Sequence, residues 1–237
     1  MFPRTWADET LAEATGRHHR HDPVGDVGGG PAGNAQLTAW LGVLLLVLFL
    51  AELATLLDVN GLLSWHIAVG VLLVPPALAK TASTGWRIIR YYTRHDAYRQ
   101  AGPPPMPLRM LGPLVVLSTL SVLGTGLALI ALGPDATRTT LLTVLGYRVD
   151  ALTLHQGTFV VWSTVTGLHT LARLVPAVRI LRRPTVPGGP QRGIVIALVT
   201  LIAAVVAMLL LTVSGGWLTA DLHPHRHEQP PAATITP

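Results

Sequence analysis

Two histidines stand fourteen residues apart in one apolar stretch of the chain, His155 and His169 in LHQGTFVVWSTVTGLHTLAR (residues 154–173). In an α-helix of 3.6 residues per turn, this spacing brings both imidazoles to roughly the same face, about 21 Å apart along the axis. An imidazole in such a segment can bind a metal, relay a proton or pack as an ordinary core residue. Ionisable residues inside membrane segments are rare and usually functional, so these two histidines are the first candidates for chemistry.

A third histidine, His66, lies near the start of an earlier apolar stretch. If both stretches cross a membrane in the same direction, His66 and His155 lie at matching depth on parallel helices. Two neutral imidazoles at one level can bind the iron of a haem b from both sides without a covalent link. Such a site suits electron transfer better than oxygen chemistry, because both axial positions are filled. Taken singly, each of the two residues can equally be an interfacial histidine.

The composition indicates what must position these side chains. Half of the 237 residues are hydrophobic and 12% are charged, whereas soluble domains carry about 25% charged residues. The sequence is therefore that of an integral membrane protein. It contains no cysteine, which excludes thiolate metal sites, iron–sulfur clusters, disulfides and thioether-linked haem. A metal or cofactor must be held by His, Met, carboxylate or backbone groups.

Five stretches are long and apolar enough to cross a bilayer core of about 30 Å, and their continuous apolar runs favour helices over a β-barrel. They run near 37–57, 64–84, 112–133, 154–174 and 193–214. The sequence thus predicts an all-α membrane helical bundle over 37–215. A disordered polar tail over 1–36 is expected before it, and a disordered His/Pro-rich tail over 216–237 after it. No cleavable signal sequence is recognised, so the first span is expected to act as an anchor.

The placement of arginine predicts the orientation. The connections 85–111 and 175–192 carry nine arginines, whereas the two opposite connections carry two. Because cytoplasmic loops are enriched in Lys and Arg, the N-terminus is expected in the cytoplasm and the C-terminus outside an inner (plasma) membrane. The segment 85–100, GWRIIRYYTRHDAYRQ, is expected to extend the second helix along the cytoplasmic surface, as an anchor on anionic lipid or as a docking surface.

Near their outer ends, the second and fourth spans each carry a histidine, His66 and His155. Near their inner ends only the fourth span does, because the residue fourteen positions after His66 is Lys80 and not a histidine. Lys80 and His169 at a common depth could hold an anion, a quinone carbonyl or a haem propionate between them. Alternatively, Lys80 snorkels to the cytoplasmic surface. Glu52 is the acid of the first span. It could hydrogen-bond an outer imidazole, take up a proton there, or lie at the interface.

Small and hydroxyl residues flank the histidines. Gly70 follows His66 by one turn, and Gly124 and Gly126 lie in the LGTG of the third span. Glycines there let a macrocycle approach the backbone or serve ordinary helix packing. Three hydroxyls of the fourth span could accept ring N–H bonds or bond to their own helix: Ser163, Thr164 and Thr166.

The remaining histidines lie outside the spans. His95 belongs to the basic extension. Six others lie in the tails, where they could bind a transition metal or be solvated: His18, His19, His21, His223, His225 and His227.

With these features the sequence resembles the four-helix membrane cytochromes b, which include the bacterial cytochrome b-561 type and the cytochrome b subunits of respiratory dehydrogenases and hydrogenases. The stretches STGWRIIRYYT, YRQAGPPPMPLRMLGPLVVLSTLSVLGTGLALI and LHQGTFVVWSTVTGLHTLAR are also similar to small actinobacterial cytochrome-b-like membrane proteins. The resemblance covers roughly 37–215. It implies a four-helix haem-binding core inside the five-span bundle.

The resemblance also implies which residues bind the cofactor. His66 and His155 would be the axial ligands of haem b, with Gly70 and Gly124 beside the ring. In a two-haem member, each of two helices carries a histidine near both ends. Here Lys80 stands in one of the four places, so one haem is expected, and the level of Lys80 and His169 stays open.

The leading prediction is therefore electron transfer through haem b, in a quinone-linked subunit or together with a redox partner protein. The sequence has no nucleotide-binding fingerprint and no soluble catalytic domain, so further catalysis would need a partner. The alternative is a haem-free transporter or assembly subunit with a polar path through Glu52, Lys80 and His169.

Overall fold

The structure is a computed structural model that describes residues 5–18, 21–100, 102–183 and 186–220. Its helices are α1 (Trp6–Ala14), α2 (Gly30–Thr55), α3 (Leu63–Leu72), α4 (Val74–Tyr92), α5 (Asp96–Arg99), α6 (Met106–Ala136), α7 (Ala151–Leu181), α8 (Gly189–Val213) and α9 (Gly215–Ala220). A 3-10 turn, Leu56–Asp58, follows α2, and a small hairpin consists of β1 (Leu142–Val144) and β2 (Tyr147–Val149). The predicted all-α class is confirmed.

Four helical stretches of the described residues are long and apolar enough to cross a membrane: Gly30–Asp58, Leu63–Tyr92, Met106–Ala136 and Gly189–Val213. They contain most of the first, second, third and fifth predicted spans. The fourth predicted span, 154–174, lies in α7, which has 31 residues and therefore sufficient length. Polar residues such as Gln156, His169 and Arg173 lower its hydropathy, and it is not among the four. A fifth span is thus not confirmed.

The long helices form a bundle. Helix α2 packs against α3, α4 and α7, and α6 packs against α7 and touches α3 and α4. This places α2, the α3–α4 pair, α6 and α7 around a common interior, with α8 outside against α3 and α4. Leu45, Leu73 and Ala77 form a buried cluster in this interior, where α2 meets the junction of α3 and α4. Leucines exposed on the outer faces are suited to lipid.

Two features interrupt the helices of the bundle. Pro75 and Pro76 follow the junction of α3 and α4, in the first turn of α4, where a missing N–H is tolerated. In α6, Gly133 has φ +75° and ψ 170° before Pro134, so the last turn is broken away from the rest of the helix. Trp217 of α9 donates its indole N–H to the carbonyl of Leu129 (2.9 Å) and so holds α9 against this break.

The predicted surface extension over 85–100 forms in two pieces. Helix α4 ends at Tyr92, and Arg94 has φ +61°, a left-handed conformation that no helix continues. The short α5 then follows. Trp86, Ile89 and Tyr92 are exposed on α4, and the Arg90 guanidinium lies 4.4 Å from the ring centre of Trp86. The segment is helical and amphipathic, but the chain turns at its middle.

The N-terminal segment differs from the prediction of a disordered tail, because α1 and the first turns of α2 lie within 1–36. Thr5 caps α1 with a capping box that includes Asp8. Glu13 of α1 pairs with Arg173 of α7 (2.9 Å), and Asp22 pairs with Arg87 of α4. These contacts with bundle arginines order the segment. Of the predicted disordered tail over 216–237, residues 216–220 form part of α9. Residues 1–4, 19, 20 and 221–237 lie outside the described residues.

A second unpredicted element is the hairpin between α6 and α7. Its turn residues Leu145 and Gly146 have φ of +50° and +85°, as in the two-residue turns whose twist suits a hairpin. Asp150 then caps α7 by accepting a hydrogen bond from the N–H of Thr153 (2.7 Å). The hairpin and this cap set where α7 begins, four residues before His155.

Candidate functional site

The structure brings His66 and His155 together. Their ring centres are 6.5 Å apart, and the ring planes are inclined by 77°. His66 comes from α3 and His155 from α7, so the pair joins two sides of the bundle interior. Both residues are partly buried. We call His66, His155 and the polar side chains that contact them (Glu52, Thr55 and Thr125) the histidine cluster.

The Nδ1 atom of His66 faces the end of α2. It lies 3.0 Å from Oε1 of Glu52 and 3.0 Å from the hydroxyl of Thr55. Thr55 donates its own proton to the carbonyl of Glu52 (2.6 Å), so its oxygen is free to accept a hydrogen bond. With Glu52 ionised, both neighbours of Nδ1 are acceptors, and the favoured tautomer of His66 carries its proton on Nδ1.

The ring of His155 is held in the same way by α6. Its Nδ1 lies 3.0 Å from the hydroxyl of Thr125. Thr125 donates within its own helix, to the carbonyls of Ser121 (2.9 Å) and Val122 (3.1 Å). The Thr125 oxygen is thus an acceptor for Nδ1–H of His155.

These contacts decide which ring nitrogen is available for a ligand. With the proton at Nδ1, as these acceptors favour in both imidazoles, Nε2 carries the lone pair. Histidines that bind metals commonly donate their other ring N–H to a carboxylate, hydroxyl or carbonyl, which fixes the tautomer and the ring orientation. The contacts at the two Nδ1 atoms follow this pattern.

The glycines near the cluster have different surroundings. A Cβ at Gly126 would lie 3.2 Å from Cε1 of His155, so the glycine lets this ring approach α6. A Cβ at Gly70 would lie 3.3 Å from Oε1 of Glu52, so Gly70 makes room for the carboxylate and not for a ring. A Cβ at Gly124 would meet no protein atom within 4 Å.

Only one of the two carboxylate oxygens of Glu52 has a partner among the described residues. Its Oε1 contacts His66, whereas its Oε2 is buried with no hydrogen-bond partner among the described residues. Of the interpretations that the sequence leaves open for Glu52, the structure favours contact with an outer imidazole.

The hydroxyls of α7 that were candidates for ring contacts lie elsewhere. Ser163 and Thr164 donate to the carbonyl of Val160 in their own helix (3.1 and 3.0 Å). Thr166 is buried without a hydrogen-bond partner in the described residues. The hydroxyls that do contact the rings, Thr55 and Thr125, were not predicted. Only two weak features of the sequence point to these threonines: Thr55 follows Glu52 by three residues, and Thr125 lies between the two glycines of LGTG.

The predicted inner residues lie at the other end of α2. The ammonium of Lys80 donates to the carbonyl of Thr38 (3.3 Å), and a Cβ at Gly42 would lie 2.6 Å from it. Lys80 therefore points at the backbone of α2. His169 interacts electrostatically with Lys80 and with Arg173. We call Lys80, His169 and Arg173 the cationic cluster. Thr38 and Glu52 are fourteen residues apart in α2, so the two clusters are about 21 Å apart along it.

An aromatic layer lies between the two clusters. The ring of Trp162 on α7 meets Phe49 of α2 edge to face at 4.7 Å, and its indole N–H donates to Thr119 of α6 (3.2 Å). Only 5% of Trp162 is exposed. Because His155 lies two turns before Trp162 and His169 two turns after it, the two histidines of α7 belong to separate environments.

Other histidines do not join either cluster. His95 packs against the ring of Tyr98 (5.6 Å), and His21 contacts Arg183 (3.1 Å). His19, His223, His225 and His227 lie outside the described residues. Within the part of the chain that the structure describes, no group of three or more His, Cys, Asp or Glu side chains is placed to hold a metal ion.

Comparisons of this chain with protein families, with curated proteins and with solved structures found no match. The assignment of a function therefore depends on the geometry of the two clusters.

Proposed function

We propose that this protein is a membrane b-type cytochrome that transfers electrons through one haem b bound between His66 and His155. The observation that carries the proposal is the arrangement of the two imidazoles, each with its Nδ1 directed at an acceptor and its Nε2 left for a ligand. A haem b held there by His66 and His155 would supply one-electron transfer.

The separation of the rings suits this cofactor. Transition metal–imidazole bonds are about 2 Å long and ring nitrogens lie about 1 Å from the ring centre, so two imidazoles on opposite sides of one metal have centres roughly 6 Å apart. The observed value is 6.5 Å.

Each residue of the histidine cluster has a role in this proposal. His66 and His155 would bind the iron, and Glu52, Thr55 and Thr125 would orient the two rings through their Nδ1 atoms. Gly126 lets the His155 ring reach its position. Gly124 is exposed and, two residues before Gly126, points to another side of α6, so the predicted place of Gly124 beside the cofactor is not supported.

The surrounding assembly is part of the same proposal. The protein would span the plasma membrane five times, with α7 as the fourth spanning helix and the N-terminus in the cytoplasm. It would work as a subunit that exchanges electrons with a quinone or with a redox partner protein.

The test is the absorbance spectrum of the purified protein, oxidised and then reduced with dithionite. We expect a b-type α-band on reduction and about one haem per chain by pyridine haemochrome. His66→Ala and His155→Ala should each remove the band, whereas His169→Ala, the matched control on α7, should keep it. A wild-type protein without the band after haem-sufficient expression would contradict the proposal.

One observation favours a second function. The buried, unpartnered Oε2 of Glu52 is suited to taking up a proton or a cation in a haem-free transporter or assembly subunit, with a polar path that continues to Lys80 and His169. Proton uptake by reconstituted vesicles that is lost in Glu52→Gln, in a protein without haem, would support this alternative.

A further inference from the structure

The cationic cluster is a second polar centre that the proposed haem does not use. It lies in the half of the bundle where α2 begins, beyond the Trp162 layer. Lys80 of α4 interacts electrostatically with Arg173 of α7, and His169 lies one turn before Arg173 and interacts with both. Like charges in a bundle interior repel one another, so this arrangement needs negative charge beside it.

The protein supplies part of that charge. Glu13 of α1 reaches Arg173 at 2.9 Å, and its side chain is 4% exposed. The contact shows that this end of the bundle accommodates an oxygen anion at Arg173. No carboxylate among the described residues pairs with Lys80 in this way, and its ammonium makes one hydrogen bond, to Thr38, although it has three donors.

A hydroxyl lies on the same face of α7. Thr166 precedes His169 by three residues and Arg173 by seven, so the three side chains share one side of the helix. The Thr166 hydroxyl is buried and has no hydrogen-bond partner among the described residues. A buried hydroxyl without a partner is costly, and a ligand oxygen would satisfy it.

We propose that Lys80, Arg173 and Thr166, with His169 beside them, form a binding site for a phosphate group. Lysine binds phosphate as a point charge, arginine as a fork of donors, and a threonine hydroxyl adds one directional hydrogen bond. The phosphate belongs either to a free inorganic ion or to the headgroup of an anionic phospholipid. The site is independent of the haem, because the two clusters lie at opposite ends of α2.

The experiment measures thermal unfolding of the full-length protein by tryptophan fluorescence, in two arms. In detergent free of anionic lipid, inorganic phosphate is titrated against chloride at equal ionic strength. In the second arm, the protein is placed in nanodiscs of phosphatidylglycerol or of phosphatidylcholine. We expect a saturable rise of Tm in at least one arm. A rise with inorganic phosphate identifies a free ion, and a rise only with phosphatidylglycerol identifies a headgroup.

Variants show which residues the rise of Tm depends on. Lys80→Met should abolish it, and Thr166→Val should raise the half-saturating concentration about tenfold, the effect of one hydrogen bond to a charged group. Should Lys80→Met not fold, Gly42→Ala serves instead, because the added Cβ would lie 2.6 Å from the Lys80 ammonium and displace it. Arg148→Met, in the exposed hairpin, is the control and should respond like the wild type.

Two results would overturn the site: no rise of Tm in either arm, or an unchanged response in both Thr166→Val and the Lys80 or Gly42 variant. Neither depends on the α-band at the histidine cluster. The phosphate response and the haem spectrum can therefore fail separately.

Discussion

The two ends of α7 carry the same residue in different chemical settings. At the histidine cluster, His155 faces a second imidazole, and hydroxyl or carboxylate oxygens of α2 and α6 hold both Nδ1 atoms. At the cationic cluster, His169 faces an ammonium and a guanidinium. The first setting favours neutral imidazoles with a free lone pair, and the second favours an anion. The partner on the opposite helix, and not the spacing within α7, decides what each histidine can do.

The aromatic layer around Trp162 separates the histidine cluster from the cationic cluster, and its loss should have the largest effect. Trp162→Ala leaves a cavity beside Phe49 and removes the bond to Thr119, so we expect a loss of about 3 kcal/mol in the free energy of unfolding. Trp162→Phe keeps the ring contact and loses only the hydrogen bond, for about 1 kcal/mol. Denaturant unfolding in detergent measures both. Equal stability of the two variants would show that the layer is not packed as described.

The second prediction concerns the hydroxyl that holds His155. Thr125→Val keeps the shape of the side chain but removes the acceptor for Nδ1, so we expect haem affinity to fall roughly tenfold. The measurement is haem transfer to apomyoglobin, followed by absorbance. Thr164→Val, whose hydroxyl bonds only its own helix, is the control. If both variants release haem at the wild-type rate, the orientation of His155 does not depend on Thr125.

A smaller effect distinguishes the two glycines of LGTG. In Gly126→Ala the new methyl lies 3.2 Å from the His155 ring, which must shift by a few tenths of an ångström. In Gly124→Ala the methyl meets no protein atom within 4 Å. Gly126→Ala should therefore alter the α-band. A larger change of the α-band in Gly124→Ala than in Gly126→Ala would contradict this and would indicate that the macrocycle lies against Gly124.

The smallest effect concerns the start of α7. The hydrogen bond from the backbone N–H of Thr153 keeps the pKa of Asp150 below its ordinary value. A carboxylate with a lowered folded-state pKa stabilises the protein above its unfolded pKa, about 3.9, and this contribution is lost as the pH falls through the folded value. Stability should therefore decline in this acid range, and Asp150→Asn should show a smaller decline. The same pH dependence of stability in the wild type and in Asp150→Asn would contradict the prediction.

Some of the fold could be read from the sequence. Apolar runs of sufficient length predicted the membrane helices, because burial in lipid depends on composition and length alone. The fourth span was harder to assess, since α7 carries polar residues such as Gln156, His169 and Arg173 that lower its hydropathy. The hairpin and α1 were missed. A helix as short as α1 is marginal alone, and its order depends on arginines far away in the chain, such as Arg173.

The candidate site shows the same limit. The periodicity within α7 indicated which of its residues share a face, and equal depth suggested that His66 and His155 could meet. No pattern within one helix shows which residue of another helix faces it. Thr55 and Thr125 are ordinary threonines in sequence, and only the packing of α2 on α3 and of α6 on α7 places their oxygens at Nδ1.

The position of Lys80 has a practical consequence for covalent labelling. It is the only lysine of the chain, and its ammonium is directed at the backbone of α2, so amine-reactive reagents have no other side chain to modify. Acylation at this position, located by mass spectrometry of peptides so that the N-terminal α-amine is counted separately, therefore reports how open one helix contact is. The sixteen arginines do not interfere, because guanidinium stays protonated and unreactive toward the same reagents.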